Sequence, residues 1–164
     1  MRVFLCPGSG KIQSFKRWSA ESFRKLGLLL QKTGLEVFII LGKEEEEISD
    51  IFSGFPILNS LTFSGLSKEI KESDLAICND SFLMHFLSAL NVKTLALYGP
   101  TDPGRTKPHQ AIIIKTKKEL QCMPCWGTSL YGNCPFGIDC LKSIEVTEVF
   151  EEVMKIVKIG KNLT

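Results

Sequence analysis

Residues 73–103 constrain the fold of this chain more than any other stretch. A short apolar run, Leu75-Ala76-Ile77-Cys78, stops abruptly at Asn79-Asp80-Ser81, and a segment of helical character follows to residue 90. A second apolar run, Thr94-Leu95-Ala96-Leu97-Tyr98, stops at Gly99-Pro100-Thr101-Asp102-Pro103. The order is strand, polar turn, helix, strand, polar turn. Polar groups gather where the strands end, and open α/β sheets bind ligands at that end. Within the helical segment the polar residues Ser81, His85 and Ser88 fall at i, i+4 and i+7, and so share one face.

The same alternation runs through the chain. Residues 2–6 read as a first strand, closed by the turn Pro7-Gly8-Ser9-Gly10. Ser19 caps a helix to about residue 33, with Phe23, Leu26, Gly27 and Leu30 on its apolar face, and Gly34 stops it. Residues 37–41 form a continuous apolar run, the pattern of a strand covered on both faces. An acidic helix over residues 43–52 follows, its glutamates matching the helix dipole, with at least three of the four expected in solvent. Residues 55–63 read as a short strand and a loop, and residues 66–73 as a short helix. Residues 111–114 supply a last strand, and residues 146–159 an amphipathic closing helix. Strands alternating with helices imply a parallel sheet with helices on both faces. At 164 residues, one domain is expected.

The bulk numbers exclude more than they assert. An apolar fraction of 44% and a charged fraction of 23% suit a globular domain rather than a disordered one. A net charge of +2 gives no electrostatic case for nucleic acid. No apolar run approaches a membrane span, and Met1 leads straight into strand-like sequence without a signal-peptide core, so the expected compartment is the cytoplasm.

Four groups of residues carry candidate chemistry. The turn Pro7-Gly8-Ser9-Gly10-Lys11, continuing to Lys16-Arg17-Trp18, offers close backbone approach to a phosphate and donors from Ser9, Lys11, Lys16 and Arg17. It matches neither the Walker spacing nor G-x-G-x-x-G, and its ordinary reading is a surface loop. The start of the helix at Ser81-Phe82-Leu83 presents unpaired N–H groups to an anion, with Asp80 or Asn79 as the natural cap. The turn at residues 99–103 is rigid and offers the Thr101 hydroxyl. Finally, Cys122-x2-Cys125-x8-Cys134-x5-Cys140 forms a cluster for which a metal site, two disulfides and reduced thiols all stay open. Cys6 and Cys78 lie in apolar runs and read as buried small hydrophobes.

Taken in order, these motifs resemble the carboxy-terminal half of the family 9 glycosyltransferases, the lipopolysaccharide heptosyltransferases and their relatives. The resemblance rests on Pro7-Gly8-Ser9-Gly10 with Lys16-Arg17-Trp18, Leu41-Gly42 with glutamates, Asn79-Asp80-Ser81-x3-His85, and Leu97 through Pro103. The block Cys122-Met123-Pro124-Cys125, Cys134-Pro135-Phe136-Gly137 and Cys140-Leu141 resembles the tail of the second heptosyltransferase type.

The resemblance implies a Rossmann-like α/β domain, the C-terminal half of a GT-B glycosyltransferase, binding a nucleotide-sugar donor such as ADP-heptose for lipopolysaccharide core or related surface-glycan synthesis. Lys16 would approach the donor diphosphate, with Ser9 and Lys11 in the same loop. One of Glu44 to Glu46, with Glu45 the choice, would face the nucleoside. Asp80, Ser81 and Phe82 would meet the diphosphate or sugar through backbone donors, supported by His85, and Thr101 belongs to the same site.

Two positions depart from the family pattern: Phe82 stands where glycine is usual, and Ser19 where proline is usual. The amino-terminal acceptor-binding domain with its catalytic base has no counterpart, so the chain resembles a truncated or split product. Alone it is expected to bind nucleotide weakly and to transfer nothing. The complete enzyme would act on a glycolipid acceptor, peripheral to the inner membrane. No cofactor is required, since cationic side chains and helix starts can carry the diphosphate charge; zinc is the candidate ion for Cys122, Cys125, Cys134 and Cys140. The rival reading is a stand-alone nucleotide-binding or scaffold module with a structural four-cysteine metal site.

Overall fold

The computed structural model describes residues 1–59, 62–70 and 73–161. Among these residues, six strands form one parallel sheet: β1 (Arg2–Cys6), β2 (Glu36–Leu41), β3 (Ile57–Asn59), β4 (Leu75–Asn79), β5 (Lys93–Tyr98) and β6 (Ile112–Lys115). Their order is β3-β2-β1-β4-β5-β6. The chain moves outward in one direction from β1 to β3, then returns to lay β4 against the other side of β1. The strand order therefore reverses between β1 and β4, and sheets of this kind leave a ligand crevice there, beyond the carboxyl ends of the strands.

Alternation along the strands divides the core between the two faces of the sheet. Val3 and Leu5 of β1, with Ile77 and Leu97, pack under α1 (Ala20–Lys32) and α6 (Val146–Lys161). Phe4 and Cys6, with Cys78 and Tyr98, pack under α2 (Phe63–Glu69) and α3 (Phe82–Ala89). The expected cap and stripe of α1 are present: the Ser19 hydroxyl accepts from the Ser22 N–H, and Phe23, Leu26, Gly27 and Leu30 are buried. Two short helices, α4 (Pro103–Thr106) and α5 (Asp139–Lys142), lie in the second half.

Three local expectations change. The acidic segment Lys43–Phe52 is a 3-10 helix. The helix expected at residues 66–73 begins earlier, at Phe63, because the Thr62 hydroxyl caps it by accepting from the Gly65 N–H. Its expected last turn at residues 71–72, like residues 60–61 of the preceding segment, lies outside the described residues. Among the described residues no helix is long and apolar enough to cross a membrane.

Candidate functional site

Turns from β1, β4 and β5 meet at the point where the strand order reverses. Lys16 Nζ donates to Asp80 Oδ2 at 3.2 Å, and the Thr101 hydroxyl donates to the same oxygen at 2.6 Å. All three side chains are buried. A charged pair removed from water needs such additional hydrogen bonding to be tolerated. Asn79 beside it is equally committed: its Oδ1 accepts the Trp18 N–H at 2.9 Å, and its Nδ2 donates to the Pro7 carbonyl at 2.7 Å.

These commitments alter the start of α3. Asn79 and Asp80, the expected caps, spend their side chains on tertiary partners, so Ser81 takes the cap position in extended backbone. Its hydroxyl makes no capping bond. Ser81 Oγ is buried without a hydrogen-bond partner among the described residues. It lies on the wall of a cleft of about 490 Å³, within the size range of small-molecule sites.

The opposite wall is built around Glu45. Of the four successive glutamates, Glu44, Glu46 and Glu47 are exposed and Glu45 is buried. Its carboxylate accepts from the Gly10 N–H at 3.3 Å, the Gly42 N–H at 3.0 Å and Arg17 at 3.0 Å. A β-carbon at Gly8 or Gly42 would stand 2.7 Å from that carboxylate, so only glycine allows so close an approach. Ser9 donates to the Gln13 carbonyl and accepts from Arg17. Glu45 thus holds the glycine turns around the cleft with both carboxylate oxygens occupied.

The structure separates the expected donor-site residues into three groups. Ser9, Glu45, Ser81 and Phe82 line the cleft. Lys16, Asp80 and Thr101 form the buried polar knot joined to it through the Asp80–Ser81 peptide. Lys11 and His85 are exposed, and His85 makes no hydrogen bond among the described residues. The face expected to unite Ser81 with His85 does not form a contact network, because Ser81 sits in the cap rather than in the helix and Met84 and Leu87 take the buried side. Phe82 is not buried: the residue is 59% exposed, and its ring stacks on Phe86 and lies tilted against Phe63. Arg17, expected as a phosphate donor, is spent on Ser9 and Glu45 instead, and Phe63 is the residue whose part in this region was least evident from sequence, since nothing local marks what its side chain will meet.

The cysteines form a second, different region. Cys122, Cys125, Cys134 and Cys140 all border one cavity of about 460 Å³, together with Phe15, Pro100 and Phe136. All six cysteines of the chain are free. Burial above all, reinforced by the neighbouring thiols, pushes the Cys140 thiol up to about 11 and raises that of Cys125. Among the described residues, no three histidine, cysteine, aspartate or glutamate side chains are spaced to hold a metal ion. A zinc ion held by these four thiolates would need each sulfur at about 2.3 Å. Its contacts reach the polar knot: the N–H groups of Cys125 and Trp126 donate to the Pro100 carbonyl, and Tyr131 meets the Phe15 ring edge-on at 4.9 Å.

Comparison with known proteins is consistent across sequence and structure. The model of glycosyltransferase family 9 (heptosyltransferase) matches residues 2–133. Lipooligosaccharide heptosyltransferase 2 of Campylobacter jejuni subsp. jejuni serotype O:6 is 31% identical over 163 residues, covering 93% of this chain and 50% of that protein. The structure of E. coli ADP-heptose lps heptosyltransferase II superposes with a TM-score of 0.77 at 22% identity, covering 98% of this chain and 47% of that one. E. coli heptosyltransferase WaaC, solved with ADP-2-deoxy-2-fluoro heptose, gives a TM-score of 0.68 at 21% identity, covering 94% of this chain and 42% of that one. The chain spans about half the length of the two Campylobacter jejuni relatives it matches.

Proposed function

This chain belongs to glycosyltransferase family 9, and from that membership we propose that it is the donor-binding domain of a heptosyltransferase-like enzyme of lipopolysaccharide core or related surface-glycan synthesis. The donor is a nucleoside-diphosphate sugar of the ADP-heptose kind. The observation that carries this reading is the Ser81 hydroxyl, buried at the start of α3 without a hydrogen-bond partner among the described residues, on a residue that lines the cleft. A buried hydroxyl without a hydrogen bond is costly, and a ligand oxygen would relieve it. The N–H groups of the first turn of α3 and the helix dipole favour a negative charge at the same place.

The chemistry then divides between this chain and the rest of the enzyme. A base supplied beyond this chain takes the proton from an acceptor-sugar hydroxyl. The oxygen attacks the anomeric carbon of the donor, and the bond from that carbon to the diphosphate oxygen breaks. The leaving diphosphate carries the departing electron pair, which the helix-start N–H groups and the Ser81 hydroxyl stabilise. Lys16, paired with Asp80, neutralises the carboxylate next to Ser81 that would otherwise repel the anion. The acceptor-binding domain corresponds to the half of the relatives that this chain does not span, and the acceptor itself is a glycolipid.

Titration calorimetry of the chain with ADP and ADP-sugars against UDP and GDP tests the reading. ADP should bind in the millimolar range or better, and Ser81→Ala should weaken it about tenfold. Lys16→Ala should weaken it as well. Absence of binding to every nucleotide at millimolar concentration would overturn the donor-domain reading.

A further inference from the structure

Three phenylalanine rings stand together at the lip of the cleft. Phe63 opens α2, Phe82 opens α3, and Phe86 follows Phe82 by one helical turn. The ring centroids are 5.2 Å apart for Phe63 and Phe82, 5.5 Å for Phe63 and Phe86, and 5.8 Å for Phe82 and Phe86. Phe82 and Phe86 are near-parallel, at an interplanar angle of 23°. A cluster of this size ordinarily lies in a core, yet Phe63 is 62% and Phe82 59% exposed. Both rings border the same cleft as Ser81 and Glu45, while Phe86 buttresses them from outside its lining.

The position of the rings restricts what they are for. Phe82 is the residue after Ser81, so the aromatic ledge begins one residue from the unpartnered hydroxyl and the α3 N–H groups. A ligand anchored there by an anionic group meets aromatic faces directly beside it. A planar heteroaromatic ring joined to a phosphate through a short linker satisfies both halves of the cleft at once, because stacking on an aromatic face tolerates any base and gains with the area of the π-face.

We propose that Phe63 and Phe82 form a stacking platform for the nucleobase of the bound nucleoside diphosphate, buttressed by Phe86, and that the platform favours a purine over a pyrimidine. This rests on the reading of the cleft as a nucleoside-diphosphate site, and inorganic pyrophosphate, which lacks a base, separates the two. In calorimetry on the purified chain, Phe63→Ala and Phe82→Ala should each weaken ADP about tenfold and leave pyrophosphate binding within about twofold. The preference for ADP over UDP should shrink in both variants, and Phe82→Tyr, which keeps the ring, should retain it. Thermal unfolding monitored by circular dichroism checks that these exposed substitutions leave the fold intact.

Unchanged ADP affinity in the Phe63→Ala/Phe82→Ala double variant would overturn the platform. Equal losses for ADP and pyrophosphate would also overturn it, by showing a disturbed helix start rather than a lost stack. If the unaltered chain binds pyrophosphate and ADP equally well, the platform falls and the anion site stands; if it binds neither, both fall.

Discussion

Phe15 and Lys16 are neighbours in sequence and belong to opposite environments. Lys16 enters a knot in which each polar group has a stated partner: ammonium to carboxylate, hydroxyl to carboxylate, amide to backbone. Phe15 borders the cysteine cavity, lined also by phenylalanine, proline and methionine, where burial disfavours the thiolates of Cys125 and Cys140. Both regions lie beyond the carboxyl ends of the same strands. The first holds its groups in fixed orientation and leaves one hydroxyl unspent; the second packs a loop against the turn that carries Thr101. Position at the edge of a sheet therefore offers a site, and hydrogen-bond saturation decides whether it is polar machinery or packing.

The largest expected effect comes from breaking the knot. Asp80→Ala leaves the buried Lys16 ammonium unpaired and should cost about 3–5 kcal/mol in urea unfolding; a loss below about 1 kcal/mol would mean the pair is as dispensable as a surface bridge. Asn79→Ala removes two buried hydrogen bonds that tie β4 to Pro7 and Trp18, and should cost about 1–3 kcal/mol. Trp18 fluorescence during unfolding would follow this loss, since Trp18 carries the backbone N–H of the broken bond and its buried indole is bonded to Ile144.

The cysteine side should respond far less. Individual Cys122→Ser and Cys134→Ser variants, at half-buried thiols, should stay within about 1 kcal/mol of the parent chain. Metal analysis of chain purified under reducing conditions should find well below one equivalent of zinc. A full equivalent, lost together with stability in these variants, would turn the packing region into a second polar centre and erase the contrast.

The smallest effect concerns Tyr98, whose phenol is pushed up to about 12, mainly by burial, against a hydrogen bond from Thr106 that works the other way. The unfolded phenol releases its proton near pH 10, so between about pH 10 and 12 the folded state holds the extra proton. Stability should be complete below that window and fall as pH rises through it. Tyr98→Phe should flatten the fall by up to one proton.

Much of the fold was legible because it depends on periodicity. The runs at residues 75–78 and 94–98 became β4 and β5, and the Ser19 cap and apolar stripe formed α1. Less of the site was legible. Asp80 and Ser81 were recognisable as a turn, but the capping preference of aspartate was overridden by partners 64 and 21 residues away. Phe63 lay outside the helix expected from the pattern, and its meeting with Phe82 depends on how α2 and α3 sit on one face of the sheet.

By itself, then, the amino-acid sequence determined an alternating α/β chain, its parallel sheet, the family it belongs to and the turns in which polar residues would gather. Tertiary structure decided which of those residues remain free to act. It turned Glu45 inward and left Glu44, Glu46 and Glu47 in water, occupied Asp80 with Lys16 and Thr101, and left the Ser81 hydroxyl without a hydrogen-bond partner among the described residues. The physical reason is that strand propensity and helix periodicity act between near neighbours. Hydrogen-bond partners are instead allotted across a sheet whose strand order reverses at β1 and β4, and that allotment exists only once the chain has closed.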